Sequence, residues 1–319
     1  MSNRRPRLRP QAPSGVQYSL RHGAAEVVIA EVGATLRSYR DGSTEIVSSF
    51  PLSDMAPSAS GQVLAPWPNR LAGGAYEFHG KTVTVPIDDP RHKAAIHGLA
   101  RWRPWSLIAA AQNRVALELT LLATPAYPFA LTLEIDYHLS RHGLTVTSTA
   151  INVGDEACPF GIGFHPYFAV GVSVDDMELH LGAEHYAEVN KDLTPTGRDV
   201  AVAGSDRDFT TPKPIGATKL DTTYSDLLRN EAGRAVVELN DRWRGRSTAI
   251  WMDEQFTCVQ VFTGDTISSD VRRRKAIAVE PMTCPPNAFN SGTDLIVLEP
   301  GQRWSGQWGI TPSEGERHG

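Results

Sequence analysis

The sequence predicts an all-β fold, a large antiparallel β-sandwich. Three observations carry this: strict two-residue alternation of apolar and polar side chains, turn residues between the alternating runs, and no sustained helical period. The alternation is clearest over 131–139, where Leu131, Leu133, Ile135, Tyr137 and Leu139 interleave with Thr132, Glu134, Asp136 and His138. That pattern is a half-buried strand. "SRHG" then supplies a turn and "LTVTSTAINV" returns with the same period, which makes an antiparallel hairpin. "GAYEFHGKTVTVP", "NRVALELTLLA", "MELHLG", "AVVELN", "STAIWM", "TCVQVFTG" and "DLIVL" extend the set, most of them short and bounded by Gly, Pro, Asn or Asp. "AIAVE", 276–280, reads as a buried strand that stops at Glu280, where a loop crowded with Pro285, Pro286, Asn287 and Gly292 begins. Only "TTYSDLLRN" offers a turn or two of helix.

The chain holds 27 Gly and 22 Pro without low-complexity linkers and without strand–helix alternation, which argues against an α/β fold. No internal repeat or shift of composition marks a boundary. The expected organisation is a single domain over 16–312, between a flexible basic tail at 1–15 and a short C-terminal tail at 313–319.

Over 319 residues, a hydrophobic fraction of 41% and a charged fraction of 21% suffice for a sizeable core. The net charge of -5 offers no general attraction to nucleic acid, and no apolar run is long enough to span a bilayer. A small neutral ligand suits this balance. Cys158, Cys258 and Cys284 are odd in number, widely spaced and without a CxxC pair, so buried reduced thiols are expected rather than disulfides or structural zinc. The basic N-terminus "MSNRRPRLRPQAPSG" is followed by no apolar segment of a secretory signal, and a cytoplasmic location is the expectation.

In a sandwich, chemistry belongs at strand ends and on loops, with the sheets as a rigid frame. Three segments have that character: "APWPNRLAGG" with Trp67, Asn69 and Arg70, "AIHGLARW" with His97, and "GIGFHPYF" with His165 and Tyr167. Asp221 in "KLDTTYSDL" and Glu280 complete the candidates. Each has an ordinary alternative. A histidine beside glycine is commonly a satisfied turn or core residue. Glu280 could pair with the run Arg272, Arg273, Arg274 and Lys275, Arg70 could tie loop carbonyls, and Asp221 could cap a turn. Two histidines and a carboxylate also suit iron, but no HxH or HxxxH spacing accompanies them, so no metal is expected.

In order and with sensible gaps, "PWPNRLAGGAYEFHG", "IHGLARW", "GFHPYF", "LTPTGR", "DF…IG…LDTTY", "VEPMTCPPNAFNSG" and "VLEPGQRW" resemble the aldose 1-epimerase (galactose mutarotase) family. The resemblance runs from about residue 25 to 310. It implies the galactose mutarotase-like supersandwich and interconversion of the α and β anomers of a free sugar such as glucose or galactose, without a cofactor. Carried onto the matching positions, it implies Glu280 as general base, His165 as general acid, and Arg70, His97, Asp221 and Asn69 as holders of sugar hydroxyls. The proline-rich loop would fix the direction of Glu280.

The chemistry asks for such groups on its own account. Opening a pyranose removes the anomeric hydroxyl proton and gives one to the ring oxygen, so a carboxylate and an imidazolium on opposite sides of one bond suffice. Trp67, Tyr167 and Trp251 are candidates to stack on the sugar. The expected partner is a monosaccharide, with oligomeric state open. "AAIHGLARW" departs from the "NHLHGG" of galactose-specific members, and "HGLAR" is similar to hexose-6-phosphate 1-epimerases, which would need a second cation such as Arg101. A non-catalytic carbohydrate-binding domain is the alternative from another class, because similar sandwiches host many functions. A glycosidase would want two carboxylates, for which only Glu280 and Asp221 are at hand.

Overall fold

The computed structural model describes residues 12–169, 173–267 and 273–314. Among them the regular secondary structure is nearly all strand, arranged as a 12-stranded and a 9-stranded antiparallel sheet with three two-stranded ribbons. The 131–140 and 143–152 strands pair in the hairpin that the alternation predicts, Leu131 opposite Asn152 and Ser140 opposite Gly143. One large hydrophobic core draws on both big sheets, from Val27, Ile29 and Val279 in one to Leu133, Ile250 and Trp308 in the other. Each such buried aliphatic or aromatic side chain contributes roughly 1.5–3 kcal/mol relative to exposure.

Residues 1–11 of the expected basic tail and 315–319 of the expected C-terminal tail lie outside the described residues. Ala12 and Gly15 close a turn by a backbone hydrogen bond of 2.9 Å, and Ser14 accepts one from Val32 at 3.0 Å. The last strand runs from Arg303 through Glu314. No helix of the described residues is long and apolar enough to cross a membrane.

Two expectations are corrected. "TTYSDLLRN" contributes no helix: Asp221–Leu227 is a strand between the Ala183–Val189 and Cys258–Phe262 strands. Its β-branched Thr222 and Thr223 and aromatic Tyr224 suit a pleated surface with neighbours on both edges. Nor does the Glu280 strand stop at Glu280. It spans Ile277–Met282, and Gly163 pairs with Met282 beyond it.

Two-residue periodicity then distributes this sheet's side chains to two faces. Ile277, Val279, Val259, Val261 and Tyr224 enter the core between the sheets. On the opposite face lie Glu280, Gln260 and Thr223, aligned by the pairs Gln260–Glu280 and Thr223–Gln260, with Asp221 opposite Phe262 in the same way. Three adjacent strands thus present a polar row away from the core, and the rest of the site is built against that row.

Candidate active site

A cavity of about 250 Å³ opens over this row, lined by Asn69, Arg70, His97, Arg101, His165, Tyr167, Asp221 and Glu280 among others. The structure therefore brings together seven of the nine sequence candidates. Trp67 and Trp251 are not among the residues lining it. Trp67 is buried in the core with its ring edge-on to Phe289 at 5.5 Å. Trp251 belongs to the 9-stranded sheet, under the Arg234 guanidinium at 4.0 Å and against Gly309, whose missing side chain makes room for the indole. Of the three aromatic candidates only Tyr167 reaches the cavity, where its ring stacks on His165 at 5.0 Å and 19°.

Arg70 and His97 come from a short ribbon, Arg70–Ala72 paired with Ala94–Ile96, laid across the open face of the sheet. At its end Asn69 and His97 both take left-handed φ, 53° and 66°, and Asn69 accepts the backbone N–H of His97 at 2.8 Å. Gly98 follows with φ 67°, and a Cβ there would stand 2.1 Å from the Ala65 carbonyl oxygen. That carbonyl also receives the N–H groups of Leu99 and Ala100. The glycine in "IHGLARW" is therefore a steric requirement that lets the His97 loop close on Ala65. Gly98→Ala is expected to cost about 1–3 kcal/mol, from strain and clash together. Urea denaturation checks this, and an unchanged midpoint contradicts it.

The proline-rich loop braces Arg70 rather than aiming Glu280, correcting the expected role. Asn287 donates its backbone N–H to the Arg70 carbonyl at 2.7 Å, and its side-chain oxygen accepts the N–H of Ala72 at 3.0 Å. Glu280 takes its direction from its place in the sheet. The Arg70 guanidinium is held by a residue that sequence reading passed over: Arg70 Nε donates to Asp89 Oδ2 at 2.9 Å, and Asp89 also contacts His92 Nδ1 at 2.8 Å. Hydrogen bonds from His92 and Arg70 outweigh desolvation and hold the Asp89 carboxyl below its ordinary range.

Asp221 is fixed similarly. Gln260 accepts the Thr223 hydroxyl proton through its side-chain oxygen, which turns its amide nitrogen to donate to Asp221 Oδ1 at 2.6 Å. Burial raises the Asp221 pKa, opposed by Arg70 and by the Gln260 hydrogen bond. Gln260 carried a sequence signal, as the polar residue inside the otherwise apolar "CVQVF".

At the floor of the cavity His165 Nε2 stands 3.3 Å from Glu280 Oε1, with both residues almost completely buried. Glu280 therefore pairs with His165, while Arg274 of the basic run binds Asp175 and Asp265. Burial disfavours the charged form of each group. It pushes the Glu280 carboxyl well above its ordinary value, reinforced by Asp221, and pushes His165 down to about 3. Burial thus favours the neutral carboxyl–imidazole form of this contact, with one proton shared by the two groups, over the ion pair. His97, ring-to-ring with His165 at 5.3 Å, is likewise kept neutral by burial and by His165, Arg101 and Arg70.

Several buried polar atoms of these residues have no protein hydrogen-bond partner: Glu280 Oε2, His165 Nδ1, His97 Nδ1 and Arg101 Nε. Buried polar atoms are ordinarily satisfied. Arg101 is tied at its other end to Asp88 Oδ2 at 2.7 Å. The arrangement is suited to an uncharged molecule with many hydroxyls, held around one proton-transfer pair.

Residues 16–311 match the family model described as aldose 1-epimerase, and the chain belongs to that family. It is 36% identical over 299 residues to the protein YihR of Escherichia coli (strain K12), covering 91% of each chain. It is 28% identical to a maltose epimerase of Levilactobacillus brevis, over 87% of this chain and 88% of that one. Among solved structures, the GalM/aldose epimerase homologue from C. elegans superposes with a TM-score of 0.84 at 16% identity, covering 94% of this chain and 100% of that one. A galactose 1-epimerase from Lactobacillus acidophilus gives 0.80 at 20% identity, covering 94% and 95%. These two likenesses show the fold.

Proposed function

We propose that this chain is an aldose 1-epimerase acting on a free aldose by general acid/base ring opening and closing, with no cofactor. The observation that supports the reading most is the buried Glu280–His165 contact at the floor of a cavity otherwise lined by hydrogen-bonding groups. In the carboxylate–imidazolium arrangement of the shared proton, Glu280 removes the proton from the anomeric hydroxyl and His165 protonates the ring oxygen. The C1–O bond to the ring breaks and an open aldehyde forms. Rotation about C1–C2 presents the other carbonyl face, and closure runs the same transfers backwards. A bound sugar favours the required arrangement, because hydroxyls donated to Glu280 stabilise its charged form.

Arg70, His97, Asn69 and Asp221 hold the remaining hydroxyls, and Tyr167 supplies a ring beside His165. Asp89 and Gln260 act at one remove, by positioning Arg70 and Asp221. The working location is the cytoplasm and the partner a monosaccharide. Polarimetry on freshly dissolved α-glucose and α-galactose tests the reading: the chain accelerates the change in rotation of at least one, and failure with both counts against it.

A second reading, hexose-6-phosphate as substrate, is favoured by one observation. Arg101 does line the cavity beside Arg70, with its Nε unpartnered. The two readings separate by ionic strength. A phosphosugar should bind more weakly as salt rises, whereas a neutral aldose should bind nearly independently of it. Asp88 on Arg101, with Asp221 and Glu280 in the same cavity, weighs for the neutral sugar.

A further inference from the structure

A second cavity, of about 170 Å³, lies beside the first. The two share Ser58, Tyr167 and Ile267, so they are neighbouring compartments of one cleft. The neck between them is the Tyr167 hydroxyl, which donates to the Ser58 carbonyl oxygen at 3.4 Å. The backbone there is held under strain: Ser58 and Ala59, neither of them glycine, have consecutive positive φ values of 50° and 57°. Strain of this kind concentrates where a chain must shape a functional surface. Beyond the neck the lining is rich in hydroxyls, with Ser48, Ser49 and Ser60, and carries the Lys275 ammonium. Ser49 donates both its backbone N–H and its hydroxyl to Glu45 Oε1, at 3.0 and 2.8 Å. A carboxylate therefore accompanies the Lys275 ammonium on this lining. Among the described residues its lining mixes these hydroxyl groups with apolar surface from Pro57, Ile267 and Ala276, the character of a site for a sugar ring.

We infer that the second cavity is a subsite for a second sugar ring, and that the chain takes reducing disaccharides joined through C6 of the reducing hexose. The inference rests on the proposed mutarotase reading, which fixes the orientation. His165 faces the ring oxygen, and Tyr167 stacks on His165 at 5.0 Å, so the passage past Tyr167 starts from the ring-oxygen side of the sugar. Only two carbons adjoin that oxygen. C1 bears the anomeric hydroxyl, which must stay free for Glu280 to deprotonate it. The other, C5, bears C6. A substituent that reaches the second cavity therefore leaves through C6, and the rings linked there lie in the two compartments, on either side of the Tyr167–Ser58 neck.

The test is the initial rate of rotation change for α-glucose, melibiose (1→6-linked) and maltose (1→4-linked), with wild type, Ser49→Trp and Lys275→Ala. Ser49 is exposed and lines only the second cavity, so tryptophan there obstructs it without touching the first. Wild type is expected to use melibiose about as well as glucose and better than maltose. Ser49→Trp should lower kcat/KM for melibiose by about tenfold and leave glucose unchanged, which also shows that the variant is folded. Lys275→Ala should raise KM for melibiose alone. Acceleration with glucose but not melibiose overturns the subsite and leaves the mutarotase reading standing. So does maltose matching melibiose, or melibiose turnover unaffected in both variants. Failure with glucose and galactose as well removes the mutarotase reading, and the subsite with it.

Discussion

Glu280→Gln is expected to lower the catalysed rate by about 10²–10⁴-fold while sugar binding persists. The amide keeps the size and much of the hydrogen bonding of the carboxyl but cannot hold the shared proton at 3.3 Å from His165 Nε2. Progress curves by polarimetry give the rate, and calorimetric titration with sugar gives the binding. Full activity in this variant ends the assignment of the base. Stability supplies a second readout. The native Glu280 pKa stands well above its ordinary 4.5, so above pH 4.5 the native state keeps a proton that the unfolded chain has released. Wild-type stability from this group is fully present below 4.5 and declines as pH rises toward the raised native pKa. The variant lacks this dependence, so it should gain stability relative to wild type as pH rises above 4.5. Urea denaturation at a series of pH values measures the difference.

His165→Asn is expected to reduce the rate by a comparable factor, about 10²–10⁴-fold, because the ring oxygen loses its proton donor. Its effect on stability has the opposite sign in pH. The His165 pKa falls from 6.5 to about 3 on folding, chiefly through desolvation. Its contribution is present above 6.5 and is lost as pH falls from 6.5 toward about 3, where the unfolded chain binds a proton that the buried ring refuses. Removing His165 should make the acid limb of the stability curve shallower. His97 retains a similar dependence, so the limb does not vanish. A variant with the wild-type rate, or with an unaltered acid limb, contradicts this account of the buried pair.

The two substitutions also probe how the sequence encodes the site. Alternation in "AIAVE" and "TCVQVF" reveals strands, and the same period determines that Ile277 and Val279 face the core while Glu280 faces away. Convergence of Arg70, His97, His165, Asp221 and Glu280 was legible only through the family resemblance, since they are brought together by strand pairings across more than two hundred residues. The stacking candidates failed at Trp67 and Trp251 because both faces of a large sheet can be covered, and a tryptophan in a strand or loop does not reveal which cover it meets. The helix expected near residue 222 failed because sheet neighbours on both edges outweigh local preference. Asp89 was overlooked because an aspartate in "DDPRHK" looks like an ordinary turn residue. Arg101 was raised only as a partner for phosphate, and its unpartnered Nε belongs to the tertiary structure alone.

The central claim is that the Glu280–His165 pair moves one proton off and one onto a sugar at its anomeric centre. NMR exchange spectroscopy on equilibrated glucose labelled at C1 tests it most directly, by measuring α-to-β exchange without any net change in composition. The account predicts strong exchange cross-peaks with wild type and none above the uncatalysed level with Glu280→Gln, although both proteins bind the sugar. Equal exchange with the two proteins, or no exchange with wild type while it binds the sugar, would contradict it.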